Sequence, residues 1–162
     1  MFESDDLASL PDATLCHLVN SEETLLIRKK RGVGSGQLVG PGGKVESGET
    51  PRECVVREVH EEVCITVENP EKAGVFVYRS EDWDAVVHVF RAYEYAGTPA
   101  ETEEAAPAWF PVDDLPFEQM WATDREWLPV VLDGETFRGR FVYRDGDPHE
   151  VQLETGVRPH VE

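Results

Sequence analysis

Apolar and polar positions divide the chain into short, readable segments. Residues 13–20, ATLCHLVN, and 24–28, TLLIR, predict two strands around a polar turn at Ser21–Glu23. Residues 29–49, KKRGVGSGQLVGPGGKVESGE, hold seven glycines and a proline, so they predict a loop that turns sharply or approaches another group closely. A helix start follows: Thr50-Pro51-Arg52-Glu53 is a capping box with proline at the first helical position. Over residues 51–63, Val55, Val56, Val59 and Val63 recur at helical spacing and predict the core-facing side. Strands are expected near 65–69, 73–79 and 85–95, and the last of these partly alternates. An acidic loop over 97–107 and a short strand with a turn in AWFPVDDL come next. Residues 124–133 predict a second helix with Pro129 inside it, and TFRGRFVYR with EVQLE predicts a closing hairpin. Strands, helix, strands, helix, strands imply an α/β (α+β) sandwich: a mixed β-sheet with helices packed on it. The expected organisation is one domain over 13–154, between an N-terminal segment, 1–12, and a tail, 155–162.

Composition narrows the class. The 162 residues suit one self-folding domain, and 40% hydrophobic residues with four Trp and seven Phe argue against disorder. The sequence has no long apolar run and its N-terminus is acidic, so neither a membrane span nor a signal peptide is expected; the expectation is cytoplasmic. Cys16, Cys54 and Cys64 lack CxxC spacing and are expected as reduced, buried thiols. Thirty-three acids against fifteen bases give a net charge of −18, which opposes binding to nucleic acid or anionic membrane. The acids are spread along the chain, as expected of a surface adapted to high salt, where screening removes self-repulsion.

Candidate chemistry begins with VREVHEEVC, residues 56–64. Glu58, Glu61 and Glu62 share one helical arc, and Glu58 and Glu62 are a repelling i, i+4 pair. Two readings stand on these residues alone. One is a solvated acidic face. The other is a hard-oxygen site for Mg²⁺ or Mn²⁺, which would hold phosphates through the metal with Lys29, Lys30, Lys44 and the glycine loop beside it.

The wider spacing bears on the choice. From Gly43 the chain reads GKVESGETPRECVVREVHEEVCI, with Glu49, Arg57, Glu58, Glu61 and Glu62 in register. This resembles the Nudix box, G-x5-E-x7-R-E-U-x-E-E-x-G-U, with U a bulky aliphatic, departing from it only where Cys64 replaces the box glycine. KKRGVGSG, VHVFRAYEYAGTPAETEE, WFPVDDLPFEQMW and WLPVVLDGETFRGRFVY extend the resemblance toward the MutT-type oxidised-purine triphosphatases.

That resemblance implies Mg²⁺-dependent hydrolysis of a nucleoside triphosphate, 8-oxo-dGTP-like, to nucleoside monophosphate and pyrophosphate. The alternatives are a broad pyrophosphohydrolase acting on ordinary (d)NTPs or on diphosphate derivatives such as ADP-ribose, and a non-catalytic nucleotide-binding module. It implies Glu58, Glu61 and Glu62 as catalytic metal ligands, with the Gly42 carbonyl and Glu104 beside them. Gly43, Glu49 and Arg57 would form the scaffold. Lys29 and Lys44 would meet the substrate. The base pocket would comprise Val33, Val39, Trp121, Thr123 and Asp124, where Val33, Val39 and Thr123 replace an aromatic, an asparagine and an aspartate of the animal enzymes. The expected partner is a small nucleotide, and the expected state a monomer or small homo-oligomer. Trp109 and Trp127 are expected in the core. His17, His60, His88, His149 and His160 show no metal spacing and are expected to be structural or exposed.

Overall fold

The computed structural model describes residues 9–32 and 34–159. Among the described residues, ten strands and two α-helices form the frame: β1 (Asp12–Asn20), β2 (Glu23–Lys29), β3 (Leu38–Val39), α1 (Pro51–Val63), β4 (Thr66–Glu68), β5 (Glu71–Arg79), β6 (Asp84–Ala92), β7 (Glu94–Ala96), β8 (Ala105–Pro111), α2 (Asp124–Leu132), β9 (Phe137–Arg144) and β10 (Asp147–Thr155). The main sheet runs β10-β9-β5-β6-β1-β2-β3, and β8 also pairs with β2. β1 lies parallel to β6, and β5 parallel to β9; the other pairings are antiparallel. The expected mixed sheet is therefore present.

The period-two alternation of β1 sends its side chains to both faces. Cys16 and Leu18 join Val55, Val59 and Val63 of α1 in one core, with Leu25 and Ile27 of β2. Ala13 and Leu15 turn the other way, toward a core where Trp127, Leu128 and Val131 of α2 meet Phe76, Phe137 and Phe141. The helices thus cover opposite faces. Trp127 stacks on Phe137 with centroids 5.5 Å apart, so its place in the core is as expected, and Trp109 packs at the edge of the first core.

Several expectations are corrected. The glycine segment contains β3, because Leu38 and Val39 pair with Arg28 and Ile27 and bury their side chains. The strand expected over 85–95 breaks at Tyr93, and its last residues form β7, which pairs with β4 in a separate two-stranded sheet. The acidic loop ends earlier, at Ala105, where the chain enters β8. Val56 is only half-buried; Cys54 and Glu62 take buried places on α1 instead. Cys64 is exposed, unlike Cys16 and Cys54. Val33 and His160 lie outside the described residues.

Candidate active site

The glycine loop is pinned to the edge of β1. Cys16 N–H donates to the Pro41 carbonyl at 2.7 Å, Thr14 N–H to the Gly43 carbonyl at 2.8 Å, and Val45 N–H to the Asp12 carbonyl at 3.0 Å. Closeness explains two of the glycines. A Cβ on Gly42 would lie 2.0 Å from the Thr14 carbonyl oxygen, and one on Gly43 would lie 2.5 Å from the Glu58 carboxyl.

Helix α1 sets its acids under this loop. Its start is fixed by the capping box: Glu53 N–H donates to Thr50 Oγ1 at 3.1 Å, and Thr50 N–H to Glu53 Oε1 at 2.9 Å. The Gly42 N–H donates to Glu62 Oε1 at 2.8 Å, so loop and helix meet through a catalytic candidate. Arg57 grips Glu49 with two parallel bonds, Nε to Oε2 at 2.7 Å and Nη2 to Oε1 at 2.9 Å, and Nη2 also donates to the Lys44 carbonyl at 3.2 Å. This holds the Glu49 carboxyl down at about 2. The remaining Arg57 nitrogen donates to Glu58 at 2.8 Å and to Glu61 at 3.2 Å.

The three box glutamates are therefore not equivalent. Glu58 and Glu62 line the cleft, and Glu104 joins them from the segment before β8. Glu61 does not line it; it is half exposed and pairs with Arg57 at 3.2 Å. Among the described residues, no three Asp, Glu, His or Cys side chains are already gathered as a metal-ion cluster. Arg57 draws Glu58 and Glu61 aside, and the Gly42 N–H holds Glu62.

The electrostatics nevertheless fit a cation. Burial pushes Glu62 up to about 8, against the Gly42 hydrogen bond, and the negative charges of Glu58 and Glu104 push the same way. Glu58 is raised by burial too, and by Glu61 and Glu104, against the pull of Arg57. Glu58 and Glu62 are raised although Arg57 and Lys29 pull them the other way, so further positive charge would be welcome there, and all-oxygen side chains suit Mg²⁺ or Mn²⁺.

The same cleft, about 460 Å³, continues to an aromatic end lined by Trp121, Trp127, Phe76, Tyr78 and Asp124. Trp121 is held edge-on by Tyr78 and Tyr143, at 5.3 and 6.2 Å. Asp124 opens α2, and its carboxylate accepts from Trp121 N–H at 3.2 Å; burial pushes it up to about 7. Thr123 lines the cleft, but its hydroxyl is engaged by the Tyr143 hydroxyl at 2.8 Å. Val39 and Lys29 also line it, and so does Lys44, next to Gly43.

The cleft residues that escaped sequence reasoning include Thr14, His17, Arg31 and Tyr78. Thr14 lies in the wall, with its Oγ1 on the Gly43 carbonyl at 3.2 Å. His17 is fully buried, and among the described residues neither its ring nitrogens nor the neighbouring Trp127 Nε1 has a hydrogen-bond partner. A histidine on an alternating strand carries no signal of this kind until the strand's neighbours are known.

A family model described as NUDIX domain matches residues 9–131. The oxidized purine nucleoside triphosphate hydrolase of Danio rerio is 43% identical over 138 residues, covering 83% of this chain and 87% of that protein. The protein of the same name from Mus musculus is 40% identical over the same shares. Among solved structures, the mutator MutT protein of Bacillus halodurans superposes with a TM-score of 0.80 at 32% identity, covering 90% of this chain and 98% of that one. With its family match, its box residues in register and its fold shared with MutT, the chain belongs to the Nudix family and is a Nudix hydrolase.

Proposed function

We propose that this hydrolase cleaves purine nucleoside triphosphates, oxidised purines foremost, to nucleoside monophosphate and pyrophosphate. The observation that carries the reading is the continuity of one cleft, with carboxylates under a glycine loop at one end and an aromatic wall with a buried aspartate at the other. Its volume of about 460 Å³ suits a nucleotide with phosphates over the acids and the base against Trp121. The names of the zebrafish and mouse relatives support the same class of substrate.

Glu58, Glu61, Glu62 and Glu104, with the Gly42 carbonyl, would hold Mg²⁺, with Mn²⁺ able to replace it. When bound, the ion supplies Lewis acidity and neutralises charge on the phosphate oxygens. The glycine loop brings backbone groups close to the phosphates, and Lys29 and Lys44 offer positive charge from the sides. Arg57 and Glu49 keep the helix and loop in register. A water oxygen attacks phosphorus in the α–β bridge, the bridging P–O bond breaks, and one of the glutamates accepts the water proton. Trp121 stacks on the base while Asp124 hydrogen-bonds its edge. Val39 cannot hydrogen-bond and Thr123 is already engaged, which supports tolerance among purines rather than narrow selection.

The net charge of −18 favours a small, metal-chelated substrate over a nucleic-acid chain, and supports work in a salt-rich cytoplasm. No helix among the described residues is long and apolar enough to cross a membrane. Pyrophosphate release, measured over a panel of ordinary and oxidised nucleotides with Mg²⁺, tests the reading.

A further inference from the structure

The hairpin turn between β5 and β6 carries an aromatic residue that a turn does not need. It reads Ser80-Glu81-Asp82-Trp83; Ser80 and Asp82 are ordinary turn formers, and Glu81 is exposed. Trp83 is different. Its ring packs on Tyr78, centroids 4.9 Å apart, yet it stays partly exposed and lines the cleft. One hydroxyl holds its backbone from both sides: Trp83 N–H donates to Ser80 Oγ at 3.0 Å, and Ser80 Oγ donates to the Trp83 carbonyl at 2.6 Å. Arg79 and Asp84 close the turn at 3.8 Å. A ring fixed in this way loses little freedom when a ligand meets it. Strand register locates it. Thr14, which carries the glycine loop through Gly43, pairs with His88 of β6, whereas Tyr78 pairs with Ala85. From His88 to Ala85 is three residues, a span of about 10 Å along a strand. Trp121 bridges that span. A Cβ on Gly34 of the glycine loop would fall 3.2 Å from its ring, and Tyr78 meets it at 5.3 Å. The contacts order the cleft as glycine loop, Trp121, Tyr78 and Trp83.

We propose that Trp83 is the end wall of the base site and selects purines over pyrimidines. A two-ring base seated against Trp121 reaches the Trp83 indole, and a one-ring base stops short of it. This deepens the nucleotide reading above and rests on it. Contact between a base and an aromatic ring asks only for a π surface, so it serves ordinary and oxidised purines alike. The selection is by size. It needs no hydrogen bond from Val39, which has none to give, or from Thr123, whose hydroxyl is engaged by Tyr143. The ring is already open to the cleft and already held by Ser80, so no rearrangement precedes the contact.

The test compares the full-length protein with Trp83→Ala and Trp83→Phe. Calorimetry with Mg²⁺ measures binding of dGMP, dCMP and inorganic pyrophosphate, and the melting temperature of each protein is recorded. Trp83→Ala should weaken dGMP roughly five-fold or more, as loss of one base–aromatic contact does, and leave dCMP and pyrophosphate within about two-fold. Trp83→Phe, which keeps a ring on Tyr78, should recover most of the dGMP affinity at the wild-type melting temperature. Unchanged dGMP affinity in Trp83→Ala overturns the proposal. Equal weakening of all three ligands also overturns it, since that makes Trp83 a structural prop for Tyr78. So does a Phe variant that binds dGMP no better than the Ala variant. If the wild-type protein binds dGMP no more tightly than dCMP, it is the purine reading of the cleft that fails instead.

Discussion

Asp124 shows how one buried side chain couples folding to pH. Its carboxyl is raised from 3.8 to about 7 by burial, so the folded chain holds a proton there that the unfolded chain releases. Unfolding free energy therefore falls as pH rises between those values. The stability this proton contributes is fully present below about 3.8 and lost once pH passes about 7. Asp124→Asn should flatten that slope: relative to wild type, its melting temperature should gain between pH 5 and pH 8. Parallel melting-temperature profiles for the two proteins would assign the buried carboxyl an ordinary titration. Glu62 is a different case at the same scale. It is buried, accepts from Gly42 N–H, and sits among like charges, so an amide of the same shape keeps the packing while losing the anion. The fold should tolerate Glu62→Gln.

At the scale of elements, the turn that ends α1 carries the one departure from the box. Cys64 adopts φ 65°, ψ 26°, the left-handed cap, with its N–H on the His60 carbonyl at 3.0 Å. A side chain in that conformation costs about 1 kcal/mol, and glycine gives part of this back through greater freedom in the unfolded chain. Cys64→Gly should leave pyrophosphate release within a few-fold and leave the melting temperature unchanged or higher. A large loss of activity would give the thiol a role. The bounds of helix α1 were legible from Thr50, Pro51 and the valine spacing, because capping and periodicity are local. The box pattern marked position 64 as a glycine site but left open whether a cysteine there keeps a left-handed turn; at φ 65° it does. The split of 85–95 into β6 and β7 was not. Residues 94–96 pair with β4, and pairing partners that distant leave no mark on the strand's own residues. The same holds within the site. Glu58, Glu61 and Glu62 were readable as a set, and Glu104 through the family resemblance, but that Glu61 stays out of the cleft depends on where Arg57 comes to rest. His17 was invisible because an unpaired nitrogen is defined by its neighbours, which come from Gly40 and Trp127.

At the scale of the whole molecule, charge dominates. Acids such as Glu22, Glu23, Glu94, Glu101, Glu103 and Glu118 are exposed on many elements, and the net charge is −18. Self-repulsion of this size weakens the folded state at low ionic strength, while at about 1 M salt the screening length falls to about 3 Å. The melting temperature should climb by several degrees between 50 mM and 2 M KCl, with activity rising alongside; equal stability and activity at both salts would reduce the surface to an ordinary acidic one. The central claim is that the acid end and the aromatic end of one cleft act together on a nucleoside triphosphate. The most direct measurement is pyrophosphate release with Mg²⁺ over 8-oxo-dGTP, dGTP, dATP, dCTP and ADP-ribose, for wild type and Glu62→Gln, each with its melting temperature. The account predicts turnover by wild type, fastest on the purine triphosphates with 8-oxo-dGTP foremost, and at least a hundred-fold loss in Glu62→Gln at an unchanged melting temperature. Turnover of none of the triphosphates by wild type, or full activity in Glu62→Gln, would contradict it.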